Sequence, residues 1–167
     1  MIESILVALH NATTLLFGVY ISAAFLGIKL NRKNIFTLFG FSCAVGAVYI
    51  GVFALFGETV TRQVYPFIVH LPLVLFLMLF YRYKLVLSLM SVLTGYLCCQ
   101  ISKWVGIAAE EISGLETVYY GARVITTVTV FALLLRFVSE ATAQLIQKPD
   151  KELLILAVMP LTYYLFD

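Results

Sequence analysis

Charge is scarce in this 167-residue chain: Asp, Glu, Lys and Arg make up 12% of it and hydrophobic residues 62%, with a mean hydropathy of +1.02. No soluble domain of this size hides so much apolar surface from water. The net charge of +2 sits in short turns rather than on one face, which argues against nucleic acid as a partner. Cysteine is rare too. Cys43, Cys98 and Cys99 all lie inside hydrophobic runs, poor places for structural disulfides, and no second Cys or His pair has zinc spacing. Gly/Ser-rich linkers and convincing internal repeats are missing, which weakens an inverted-repeat transporter. The phosphate-binding loop, G-x-G-x-x-G, G-x-S-x-G and H-E-x-x-H are missing as well, so no soluble-enzyme chemistry is visible and no catalytic residue is assigned.

What fills the chain instead is six hydrophobic stretches, at residues 4–28, 35–56, 64–80, 85–109, 117–137 and 153–166. At 1.5 Å per residue most are long enough for a hydrocarbon core of roughly 30 Å. In lipid the backbone must satisfy its own hydrogen bonds, so the expected fold is all-α, a polytopic transmembrane bundle of about six spans. Residues 1–30 lack a basic leader region and a small-residue cleavage site and read as the first span. The sixth stretch, about 14 residues, is short for a crossing. It runs straight into Asp167, which implies a fragment of something longer.

The turns differ sharply in charge. The first carries Lys29, Arg32 and Lys33, the third Arg82 and Lys84, and the fifth Arg136, Lys148 and Lys151. The second has only Arg62 beside Glu58, and the fourth holds Glu110, Glu111 and Glu116 with no base. Basic residues stay on the cytoplasmic side, so the odd turns face the cytoplasm and the N-terminus faces out. Small residues mark packing faces: Gly40, Cys43, Ala47, Gly51 and Ala54 in the second span, and Ser88, Ser91, Gly95, Cys98, Ser102 and Gly106 in the fourth. Cys98 and Cys99 read as small packing residues, and the stripes allow a homodimer.

Ionisable residues inside spans are costly and are functional candidates by default. His10, His70, Lys103 and Arg123 each fall seven residues inside an outer boundary, on the order of 10 Å deep. Asn11 and Gln100 lie near the same layer, with Trp104, Tyr119 and Tyr120 as an aromatic rim. Together they describe an outward-facing polar pocket beneath an acidic mouth of Glu110, Glu111 and Glu116. Lys103 and Arg123 suit a carboxylate or carbonyl of a ligand. The alternative is that both snorkel to the interface, Lys103 pairing with Glu110 and Arg123 with Glu116.

His70 lies between Pro66 and Pro72. Pro72 frees the carbonyl of Ile68 one turn back, so the segment is expected to kink, as a hinge or a ligand site. The plainer reading is a histidine hydrogen-bonded to a neighbouring helix.

Four stretches carry a resemblance: Thr14-Leu15-Leu16-Phe17-Gly18-Val19-Tyr20, Tyr65-Pro66-Phe67-Ile68-Val69-His70-Leu71-Pro72-Leu73, Val92-Leu93-Thr94-Gly95-Tyr96-Leu97-Cys98-Cys99-Gln100-Ile101 and Met159-Pro160-Leu161-Thr162-Tyr163-Tyr164-Leu165-Phe166-Asp167. They resemble the N-terminal membrane region of GHKL-type sensor histidine kinases from Gram-positive anaerobes, which is similar in architecture to accessory-gene-regulator-type peptide receptors. The resemblance implies a two-component sensor in the bacterial cytoplasmic membrane that perceives an extracellular peptide or small molecule. It also implies a homodimer, and a cytoplasmic kinase domain, absent from this chain, that uses ATP and Mg and signals to a response regulator. His10 and His70 fall within the membrane, so neither is the phosphoacceptor. The competing classes are a small transporter or channel subunit, and a membrane-embedded processing enzyme with His70 as base.

Overall fold

A backbone that leaves water must pair its own N–H and C=O groups, and this chain does so as helix. The computed structural model describes residues 2–146 and 150–166. The chain is 91% helical, with no strand among the described residues. Its elements are α1 (Ile2–Phe25), α2 (Arg32–Tyr65), a π-helical turn (Pro66–His70), α3 (Leu71–Leu79), α4 (Leu85–Ser113), α5 (Glu116–Ile146) and α6 (Asp150–Phe166).

Among the described residues, five stretches are long and apolar enough to cross a membrane: Ile5–Phe25, Arg32–Gly57, Thr59–Leu79, Leu85–Ser113 and Glu116–Phe137. The expected sixth span is not in that set. It forms α6, whose 17 residues, with Pro160 inside, extend only about 26 Å. The third span starts at residue 59 rather than 64, because the mostly polar segment Thr59–Gln63 is already helical. The fifth connection is shorter than expected, since α5 continues to Ile146; Lys148 lies outside the described residues.

Local chemistry sets the ends. Helix α1 closes on Gly27, at φ 68°, with Ile28 N–H donating to Ala23 O and Gly27 N–H to Ala24 O. This paired closure needs a left-handed residue, which glycine adopts at little cost. Asn31 caps α2 by accepting from Asn34 N–H. Gly57, at φ 77° and ψ 180°, breaks α2 and folds its two halves into a hairpin. Across it Tyr49 meets Tyr65, and Phe41 stacks on Phe76 with ring centroids 4.4 Å apart.

Helix α4 is the axis of the bundle. Half of its apolar window is buried, against 28% or less for the other four, and it packs on α1, α3, α5 and α6. Its small-residue stripe faces inward, with Ser88, Ser91, Gly95, Ser102 and Gly106 buried. A Cβ on Gly95 would stand 2.7 Å from Ser22 Oγ of α1, and one on Gly106 would stand 2.5 Å from Arg123 Cγ of α5. The α2 stripe behaves differently: Gly40, Cys43, Ala47, Gly51 and Ala54 are all exposed. Hydropathy marks a smooth helix face, but only packing decides what it meets, and this face is left exposed.

The first and third turns lie side by side. Tyr83 Oη donates 2.7 Å to Leu26 O, satisfying a carbonyl left open at the end of α1, and Tyr81 Oη reaches Asn34 Oδ1 at 3.4 Å. The basic clusters Lys29–Lys33 and Arg82–Lys84 therefore share one end of the bundle.

Candidate functional site

At the other end the polar side chains converge. A cavity of about 240 Å³ opens between α1, α2, the π turn, α4 and α5. Helix α1 presents His10 and Asn11, with Thr14 about one turn further on. Helix α4 presents Tyr96, Cys99, Gln100 and Lys103, at spacings of three, one and three. Both patterns keep side chains on one helical stripe. Arg123 enters from α5, and His70 from the π turn. Leu15, Val19, Leu73 and Val92, with the Ser22 hydroxyl turned back to Gly18 O, form a largely apolar floor.

All four ionisable residues singled out by depth, with Gln100 and Asn11, thus line one cavity. Their layer is not flat. With the helix ends as they stand, Arg123 is seven residues inside α5, about 10 Å. Lys103 is ten residues from the end of α4, about 15 Å. His70 is eleven residues from Thr59, about 16 Å.

Arg123 does not turn to Glu116. Its Nη1 donates 2.7 Å to Tyr119 Oη, and its guanidinium carbon stands 5.1 Å from the Tyr119 ring centroid. Its Nε–H is buried with no hydrogen-bond partner. Gln100, 8% exposed, leaves Oε1 equally without one. An unpaired buried polar atom costs about 1–3 kcal/mol, so these two are the expensive atoms of the site. His10, 5% exposed, has Thr14 Oγ1 3.3 Å from Nδ1, with the Tyr120 ring 6.0 Å away.

His70 sits in an aromatic box. The rings of Tyr65, Tyr96 and Tyr164 surround it with centroids 5.1, 5.2 and 5.3 Å away, all edge-on. Its Nδ1 lies 2.9 Å from Tyr164 Oη. The expected kink takes the form of a π turn, in which Leu71 N–H donates to Pro66 O. Pro66 opens that turn and Pro72 follows it, so both bracket His70 without lining the cavity. Such turns recur at functional sites because they widen a helix and re-aim one side chain.

The outer residues divide. Glu110 is half-buried, Glu111 and Glu116 are exposed, and none lines the cavity. Trp104, 59% exposed, leaves the rim and donates to Tyr163 Oη at 3.3 Å. Cys98 stays on the packing stripe, but Cys99 is a wall residue of the cavity, beyond the packing role expected of it. The tyrosines of the box and Thr14 escaped the sequence argument. The spacing of Tyr96, Cys99, Gln100 and Lys103 is the signal that could have found the α4 wall. Among the described residues no group of three His, Cys, Asp or Glu gathers to hold a metal.

An all-helical chain with five apolar helices long enough to cross a membrane has the make-up of a membrane protein. Compared with known protein families, with curated proteins and with solved structures, it matches none.

Proposed function

We propose that this chain is the signal-sensing membrane region of a bacterial two-component histidine kinase, set in the cytoplasmic membrane with its N-terminus outside. In this reading α6 completes a sixth crossing. A ligand, peptide or small molecule, enters the polar cavity from the outer face. Binding shifts α4, α5 and the π turn between two packing states, and a homodimer passes the shift to a cytoplasmic kinase and its response regulator. A ligand moves such an equilibrium only through different affinity for the two states. ATP and Mg would be bound by the kinase domain and not by this bundle.

The observation that carries the reading is the pair of unpartnered buried atoms, Gln100 Oε1 and Arg123 Nε, in a cavity shared by several helices. Groups left unpaired at the meeting point of separate helices can couple occupancy to helix position. The apolar floor weighs against a transporter, which needs a polar path through the inner half. Ser102 donates to Cys99 O and does not line the cavity, which removes one nucleophile candidate for a His70-based enzyme.

The kinase relay is tested by extending the reading frame past the Asp167 codon in the source DNA. The expected result is one more hydrophobic span, a long polar helix and a Gly-rich ATP site. A stop codon there contradicts the relay.

A further inference from the structure

The unpartnered atoms also specify a ligand. Arg123 Nε–H can only donate, so it calls for an acceptor, best an anionic one, because a charge-assisted bond is about twice as strong as a neutral one. Gln100 Oε1 can only accept, so the same ligand must offer an N–H or O–H nearby. No acidic side chain is among the described lining residues, while Lys103 and Arg123 both are, so the polar end of the cavity favours a negative group.

Below that end the walls carry the His70 imidazole and the rings of Tyr65 and Tyr96 before they turn aliphatic. From Lys103 to Val92 the α4 wall descends eleven residues, about 16 Å, to the aliphatic floor. The volume of about 240 Å³ lies under the roughly 300 Å³ at which pockets for drug-sized ligands begin. That space holds one residue-sized group and not a folded peptide.

We propose that the cavity binds an α-carboxylate carrying an N–H on the same α-carbon and an apolar side chain: a hydrophobic amino acid, free or at the C-terminus of a peptide. The carboxylate meets Arg123 with Lys103 beside it. The N–H donates to Gln100 Oε1, and the side chain points down towards Leu15, at the top of the apolar floor. The signalling consequence rests on the sensing reading above; the binding chemistry rests on the cavity.

Isothermal titration of the full chain in lipid nanodiscs tests this with four probes: L-leucine, N-acetyl-L-leucine, N-acetyl-L-leucinamide and 4-methylpentanoate. At least one of the first two is expected to bind. L-leucine alone identifies a free amino acid as the source, and N-acetyl-L-leucine a peptide terminus. The leucinamide lacks the carboxylate and 4-methylpentanoate lacks the N–H, and each is expected to bind about tenfold or more weakly. Arg123→Gln weakens the preferred probe about ten- to a hundredfold. Gln100→Leu abolishes the preference over 4-methylpentanoate, with elution profile and unliganded melting confirming that the variant folds. Binding of neither leucine probe, equal binding of all four, or an unchanged preference in Gln100→Leu overturns the proposal. A null titration alongside a continuing kinase frame removes the ligand class and leaves the sensor. Selective binding alongside a stop codon removes the kinase and leaves the ligand.

Discussion

Gly95→Ala adds one methyl group where α4 packs tightly on α1. The new Cβ would stand 2.7 Å from Ser22 Oγ and 3.4 Å from Gly18 O. Ser22 is fully buried, and its hydroxyl already donates 2.7 Å to Gly18 O. If the hydroxyl turns away, a buried polar group loses its partner, at about 1–3 kcal/mol. If α1 moves instead, overpacking costs a similar 1–3 kcal/mol. Alanine's better helix propensity returns about 1 kcal/mol. The net expectation is a loss of about 0–2 kcal/mol, measured by circular dichroism as SDS is raised in mixed micelles. Gly51→Ala, on the exposed face of α2 where an added Cβ meets nothing within 4 Å, is the control and should be neutral or slightly stabilising. Combining Ser22→Ala with Gly95→Ala should recover most of the loss. If Gly95→Ala is as stable as Gly51→Ala, the close crossing is wrong.

Three further outcomes follow from the contacts at the two ends of the bundle. His70→Ala removes the centre of the tyrosine box and the contact with Tyr164 Oη. It should abolish the ligand-dependent change in hydrogen exchange of α3 while membrane insertion is retained, and a normal dose-response would sink that role. Because Arg123 donates to Tyr119 and not to Glu116, adding Glu116→Lys should not rescue ligand binding lost in Arg123→Glu; rescue in a titration would reveal a structural ion pair instead. Tyr83→Phe leaves the Leu26 carbonyl without its 2.7 Å donor. It should cost about 1 kcal/mol in the micelle unfolding assay, and an unchanged midpoint would show that water replaces the bond.

Much of the architecture was legible in the hydropathy alone, because lipid leaves the backbone no partner but itself. The α4 stripe was legible for a related reason: small side chains are what allow backbones to touch. The α2 stripe has the same signature and faces outward, since spacing defines a face but not its neighbour. The start of the third span is hidden in the sequence because Thr59, Thr61, Arg62 and Gln63 are polar, and polarity at a helix end reads as a turn. Within the site, the charged residues stood out because charge in an apolar span is expensive. The tyrosines did not, since their amphipathic rings suit a membrane interface anyway. The contact between His70 and Tyr164 joins residues 94 apart, beyond the reach of any local pattern.

The decisive measurement is thiol accessibility at Thr14, a half-buried residue of the cavity wall. Thr14→Cys would be placed on a background with Cys43, Cys98 and Cys99 replaced by serine, then exposed to a membrane-impermeant maleimide. An outward-open polar cavity inside a membrane bundle predicts labelling in intact cells and none in inverted vesicles. Labelling only in inverted vesicles, or only after detergent, would contradict it.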